Sequence, residues 1–223
     1  MSKKKELEWV KAAEELGMME PGVYVLYGAP GVGKTTFAYG LLSELKDRIK
    51  LYIATEPNVL YDKRLEAFKA VAETEYHKDL AKAFMKLHAF VRDNKNGVAV
   101  VDSVSAFAQH EAAAVILSEG RMVRPLELVG PLSFAANAMS VAVADLAVER
   151  GHILLFVAQE RPSIGKSWRG EDAAPSFAMR ALHSVRAVVR IIVAQSGVRY
   201  AKVVIHRVPS YERKMVELPP SPW

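Results

Sequence analysis

The chain has 223 residues, 51% hydrophobic and 25% charged, a globular composition that excludes a disordered or fibrous protein. It has no cysteine, which excludes a disulfide framework, thiol catalysis and a thiolate metal site. The formal charge of +5 is unevenly spread: residues 1–111 carry 16 basic and 16 acidic side chains, residues 112–223 carry 14 and 9. The basic type shifts as well, from 13 Lys and 3 Arg to 3 Lys and 11 Arg. A surplus of Arg points to planar, bidentate contacts with phosphate or carboxylate.

In chain order, residues 3–16 predict an amphipathic helix with Leu7, Val10, Ala13 and Leu16 on one side and Gly17 as its stop. Lys3, Lys4 and Lys5 are followed by Glu6, Glu8 and Glu14, so no signal-peptide apolar region is read there and a cytoplasmic protein is expected. A strand is predicted at 23–27 (VYVLY), a helix at 34–47 and a strand at 50–54 (KLYIA). Residues 62–92 read as two helices, and Gly97 precedes a strand at 98–101 (VAVV). Helical stretches at about 106–118 and 132–149 flank a Gly- and Pro-bearing segment, 119–131. The most apolar stretch, residues 132–148, is broken by Asn137 and Asp145, so no membrane span is expected. A strand at 153–158 (ILLFVA) leads into a long loop, 160–176. A helix at 177–184 and strands at 185–194, 198–205 and 212–218 complete the chain. Continuous apolar strands alternating with helices predict an α/β fold, a mostly parallel central sheet flanked by helices and ending in antiparallel edge strands.

Residues Gly28, Ala29, Pro30, Gly31, Val32, Gly33, Lys34 and Thr35 match G-x-x-x-x-G-K-[ST], between a predicted strand and a predicted helix as the motif requires; Thr36 follows. The glycines let backbone N–H groups wrap an anion at a helix N-terminus. Lys34 would reach the β- and γ-phosphates of ATP and the Thr35 hydroxyl would ligate Mg²⁺. Asp102 ends the strand 98–101, where a strand's carboxyl end meets a nucleotide crevice, and is assigned to the metal; a turn-capping Asp is the alternative. Ser103 follows it, so that position cannot supply a base for the attacking water. Glu56, after strand 50–54, fits that role, an exposed loop Glu being the alternative. Gln159, after strand 153–158, would sense the γ-phosphate, unless it is an ordinary strand-end amide.

With these residues in place the chain resembles the RecA/RadA recombinase ATPases, and among them the short archaeal paralogues, the RadB-like proteins. The resemblance spans roughly residues 20–218. It rests on ordered landmarks: GAPGVGKTT at 28–36, YIATE at 52–56, VVDSVSAF at 100–107, LLFVAQE at 154–160, MRALHSVRAVVRI at 179–191 and AKVVIHRVP at 201–209. It implies one RecA-like ATPase domain over 1–223, with an N-terminal helix (1–20), a core (21–218) and a tail (219–223). It implies that Glu56 is the catalytic glutamate and that Gln159 couples the γ-phosphate to a second DNA-binding loop at 160–176, the first being 111–131. Tyr61 falls where the family stacks an aromatic on adenine, or is a core Tyr. Arg207 resembles a basic residue that reaches a neighbouring protomer's phosphates, or is an exposed strand Arg. Only about 20 residues precede the first strand, so the helical N-terminal DNA-binding domain of full recombinases is not expected.

The loops carry chemistry of their own. The first offers Arg121 and Arg124; the second offers Arg161, Lys166, Trp168 and Arg169, charge for a phosphate backbone beside a π-face for a base. Against this, Glu160, Glu171 and Asp172 cancel the three cations of the second loop. The leading expectation is an Mg²⁺-dependent ATPase that binds single-stranded DNA and assists recombinational repair, beside a RadA-type recombinase or as a homo-oligomer. A second is a KaiC-like or archaellum-type RecA-fold ATPase acting through protein partners. A third is a nucleotide-binding regulator with negligible turnover. Seven Asn and Gln residues in all, with no Cys, hint at a thermophilic source.

Overall fold

The computed structural model describes residues 8–56, 63–119, 138, 140–162, 169, 171–176 and 184–221. The helices are α1 (Glu8–Glu15), α2 (Lys34–Glu44), α3 (Lys63–Lys69), α4 (Leu80–Asp93) and α5 (Ala106–Glu119), and residues 140–150 are also helical. The strands are β1 (Gly22–Gly28), β2 (Lys50–Ala54), β3 (Glu73–Tyr76), β4 (Val98–Asp102), β5 (Ile153–Pro162), β6 (Ala173–Pro175), β7 (Val185–Val193), β8 (Arg199–His206) and β9 (Met215–Glu217). They form one sheet in the order β3-β2-β4-β5-β1-β7-β8-β9, with β6 added to β5. The ladders from β3 to β7 are parallel, and β7–β8–β9 and β5–β6 are antiparallel. The expected parallel sheet with antiparallel C-terminal edge strands is therefore present.

The apolar runs of the inner strands are explained by two cores, one on each face. In β1, Tyr24 and Leu26 join Trp9, Leu16, Phe37 and Leu41 beneath α1 and α2. Val23, Val25 and Tyr27 join Phe84, Leu87, Phe90 and Phe107 beneath α4 and α5. Burial of each such side chain contributes about 1.5–3 kcal/mol. Helix α4 shows how local sequence fixes an element: Asp79 accepts the Lys82 N–H at 3.0 Å as N-cap, and Leu80, Ala83, Phe84, Leu87, Phe90 and Val91 form the buried stripe. Helix α1 is fastened to α2 from the side. Glu44 Oε2 accepts the backbone N–H groups of Trp9 and Val10, each at 2.9 Å, and the Trp9 indole lies across Gly40 so closely that a Cβ there would overlap it.

Several expected elements are corrected. Residues 62–92 are not two helices alone: β3 lies between α3 and α4, pairing with β2 from Leu51↔Glu73 to Ala54↔Tyr76. Residues 160–176 are not all loop, because β5 runs on to Pro162 and β6 returns against it, Glu160↔Pro175 to Pro162↔Ala173. The last strand is shorter than 212–218, a 3₁₀ turn at Pro209–Tyr211 preceding it. The helix at 177–184 lies almost wholly outside the described residues. No described helix is long and apolar enough to cross a membrane.

Candidate nucleotide site

The parallel strands end on one side of the sheet, and the residues that follow or terminate β1, β2, β4 and β5 converge there. Gly31 (φ 78°) and Gly33 (φ 105°) turn the chain from β1 into α2 in the left-handed region open to glycine. Gly33 caps α2 without any side-chain bond, leaving the first-turn N–H groups of the helix to a ligand. Lys34 lies back over this loop, its Nζ donating to Gly28 O (2.9 Å) and Ala29 O (2.7 Å), two carbonyls that stand in for phosphate oxygens. Burial lowers the Lys34 pKa; the carboxylates of Asp102, Glu56 and Glu160 work against that. Val32 packs against the core.

Thr35 Oγ1 donates to Asp102 Oδ2 at 2.7 Å, and Tyr52 OH reaches the same oxygen at 3.1 Å. Asp102 is buried, which raises its pKa; the Thr35 and Tyr52 hydrogen bonds and Lys34 oppose the shift, and Glu56 adds to it. Among the described residues no group of three His, Asp or Glu could cage a metal alone. One hydroxyl and one carboxylate beside a phosphate cradle instead suit Mg²⁺, which keeps most of its shell from water and substrate. The donor set fits the ion and the nucleotide expected from the sequence.

Glu56 follows β2 at the rim. Its Oε1 accepts from Ser103 Oγ at 2.8 Å and from Gln159 Nε2 at 3.4 Å. Ser103, which cannot itself serve as base, thus holds the residue assigned that task. Gln159 lies within β5, opposite Gly28 of β1, rather than beyond its end, and its N–H donates to Ser105 Oγ at 2.9 Å. Ser105 in turn bonds Ser176 Oγ at 2.6 Å, just past β6. A cavity of about 480 Å³ joins Pro30, Gly31, Gly33, Lys34, Thr35 and Thr36 to Glu56, Asp102, Ser103 and Gln159. Arg199 and Ser221 complete its lining.

Arg199 was not expected here. It opens β8, and its Cδ and Nε would lie 3.1 and 3.2 Å from a Cβ at Gly33, so its side chain sits against the phosphate loop. No motif marks it, because only the β7–β8 hairpin brings it to the cavity. Arg207 lies one residue past the other end of β8, beside the start of β7, with Nε donating to Val185 O at 3.1 Å. Eight residue steps, about 26 Å, separate Arg199 from Arg207, so Arg207 does not enter its own chain's cavity.

The second loop needs a correction in its electrostatics. Among the described residues its acids pair with cations outside the loop. Arg190 of β7 binds Glu160 (3.1 Å), Glu171 (3.0 Å) and Asp172 (2.5 Å), and Lys202 of β8 binds Glu171 at 2.5 Å. Burial raises the Glu171 pKa, but Lys202 and Arg190 outweigh it and hold the carboxyl below its ordinary value. Arg161 and Arg169 are exposed, Arg169 in the left-handed region at φ 53°. Tyr61, Arg121, Arg124, Lys166 and Trp168 lie outside the described residues.

No family model matches the sequence. One curated protein, an ATP-dependent Clp protease ATP-binding subunit ClpA homolog of Guillardia theta, is 28% identical over 128 residues, which is 56% of this chain and 15% of that protein. The chain thus spans about one seventh of that relative's length. Among solved structures, the crystal structure of the RadB recombinase superposes with TM-score 0.63 at 16% identity, covering 92% of this chain and 90% of that one. A KaiC-like protein, PH0186, from the hyperthermophilic archaeon Pyrococcus horikoshii OT3 superposes with TM-score 0.56 at 14% identity, covering 89% and 85%. The chain accordingly has the RecA/RadA-type core fold, shared with these two structures.

Proposed function

We propose that the chain is an Mg²⁺-dependent ATPase that binds single-stranded DNA and assists recombinational repair, alone as a homo-oligomer or beside a RadA-type recombinase. The observation that carries the ATPase reading is the convergence of Lys34, Thr35, Asp102, Glu56 and Gln159 on one cavity. The P-loop N–H groups and Lys34 bind the phosphates, and Lys34 exchanges its two carbonyl partners for phosphate oxygens. Thr35 and Asp102 hold Mg²⁺, which supplies charge neutralisation on the phosphates when bound. Glu56, fixed by Ser103, orients water toward the γ-phosphate. Gln159 links that position along β5 to the segment between β5 and β6. Arg207 serves a neighbouring protomer's site, and Tyr61 an adenine. DNA contact is supported by the internal satisfaction of Glu160, Glu171 and Asp172, which leaves Arg161 and Arg169 with no ion pair among the described residues.

The test is ATP turnover with and without single-stranded DNA across a salt series. Turnover is expected to be stimulated by DNA at low salt and to collapse in Glu56→Gln. Lys34→Ala should lose the ~1.5–3 kcal/mol of a charge-assisted contact, roughly 10- to 100-fold in nucleotide affinity. Turnover indifferent to DNA at every salt concentration favours the protein-partnered ATPase suggested by the KaiC-like neighbour. No turnover at all, with nucleotide still bound, favours the regulator.

A further inference from the structure

Glu56 is the first residue after Thr55, at the point where the chain leaves β2. Thr55 is fully buried and almost every polar group it has is engaged. Its N–H donates to Asp102 O at 2.9 Å. Its Oγ1 accepts the Ser103 N–H at 2.8 Å and donates to Ser103 O at 2.6 Å. What remains is the Thr55 carbonyl, which belongs to the peptide joining Thr55 to Glu56. His110 Nε2 lies 2.6 Å from that carbonyl oxygen. A carbonyl only accepts, so Nε2 carries the proton and donates.

His110 is half-buried in the second turn of α5, 55 residues from its partner in sequence. Helix α5 begins four residues after Asp102 and runs to Glu119, directly ahead of the segment with Arg121 and Arg124. The imidazole therefore pins the helix to the peptide that aims Glu56. The Glu56 carboxylate is held separately, by Ser103 and Gln159. Backbone and carboxylate thus have independent anchors, and the backbone anchor is contributed by α5.

We infer that His110 is a positioning residue for Glu56, transmitting the placement of α5 to the water-orienting carboxylate through Thr55 O. The inference rests on the ATPase reading above. It needs no change of protonation, since Nε2–H donates in the neutral and the charged imidazole alike. A displacement near 1 Å at a reacting group is enough to cost about 100-fold, so a single hydrogen bond at this place outweighs its modest effect on folding.

The test is single-turnover hydrolysis and steady-state kcat and KM for Mg·ATP in the full chain, comparing wild type, His110→Ala, His110→Gln, Glu56→Gln and the double variant His110→Ala/Glu56→Gln. His110→Ala is expected to lower kcat about 10- to 100-fold with KM unchanged and only a modest fall in melting temperature. His110→Gln, which keeps an N–H donor, should recover most of the rate. In the Glu56→Gln background, His110→Ala should have no further effect, because both act through one group. Wild-type kcat in His110→Ala, or effects that multiply in the double variant, would overturn the positioning role while leaving the ATPase reading intact. Wild-type turnover no higher than that of Lys34→Ala would overturn both.

Discussion

Asp102 shares one carboxylate oxygen, Oδ2, between Thr35 and Tyr52. If Thr35 turns toward Mg²⁺ as proposed, Tyr52 is the contact that keeps the carboxylate aimed while it does. The Tyr52 ring is held independently, stacked on Phe68 with centroids 3.7 Å apart. Tyr52→Phe should therefore leave the fold intact and raise the Mg²⁺ concentration for half-maximal turnover about 10- to 100-fold, the usual cost of losing an outer-shell partner. A metal titration of the ATPase rate at fixed ATP checks it, and an unchanged midpoint would remove Tyr52 from the site. Lys34, Thr35, Asp102, Glu56 and Gln159 were legible in the sequence because each follows or ends an apolar run at a motif's spacing. The contacts of Tyr52 with Asp102, Ser103 with Glu56 and His110 with Thr55, and the place of Arg199, were not, because each joins elements that only the folded chain brings together.

The same limit governs whole elements. Strands β1, β2, β4 and β5 are apolar on both faces and announce themselves. Strand β3 (ETEY) sits at the sheet edge with its residues half-buried or exposed, so nothing in its composition separates it from the flanking helices. Strand β6 (AAP) is three residues long and is fixed by partners outside it: Tyr27 OH donates to Ala173 O at 3.4 Å, and Glu171 and Asp172 just ahead of it meet Arg190. Arg190 is 12% exposed and Glu171 9%, so this pair is close to buried, whereas Asp172 is 86% exposed. Arg190→Ala takes one of two cations from a nearly buried carboxylate, which keeps Lys202, and should cost ~1.5–3 kcal/mol. Asp172→Ala removes a solvent-screened partner and should cost no more than ~1 kcal/mol. Urea midpoints of the two variants measure the contrast; equal shifts would mean that the cluster is not what closes the return of the chain onto β5.

At the scale of the molecule, the uneven charge of the two halves resolves into different fates for the arginines. Arg190 is consumed internally and Arg199 lines the nucleotide cavity, so neither is left for a partner surface. Arg186 is half-buried, with Nη1 at 3.4 Å from Pro21 O. Of the described cations near the second loop, Arg161 and Arg169 remain outward. If they meet DNA phosphates, Arg161→Ala and Arg169→Ala should each weaken single-strand binding and flatten the slope of log K against log salt by about 0.7. Binding isotherms at four or more salt concentrations give that slope, and an unaltered slope in both variants would assign DNA contact elsewhere. The join between α1 and α2 has a consequence of another kind. Trp9 lies across Gly40 and meets Phe37 edge-on at 6.0 Å, on the same helix whose first turn borders the phosphate loop. With Trp168 and Trp223 replaced by Phe, Trp9 becomes the sole indole of the chain, an intrinsic fluorophore seated on the P-loop helix. Events at the cradle can then be followed by emission in real time, without a label.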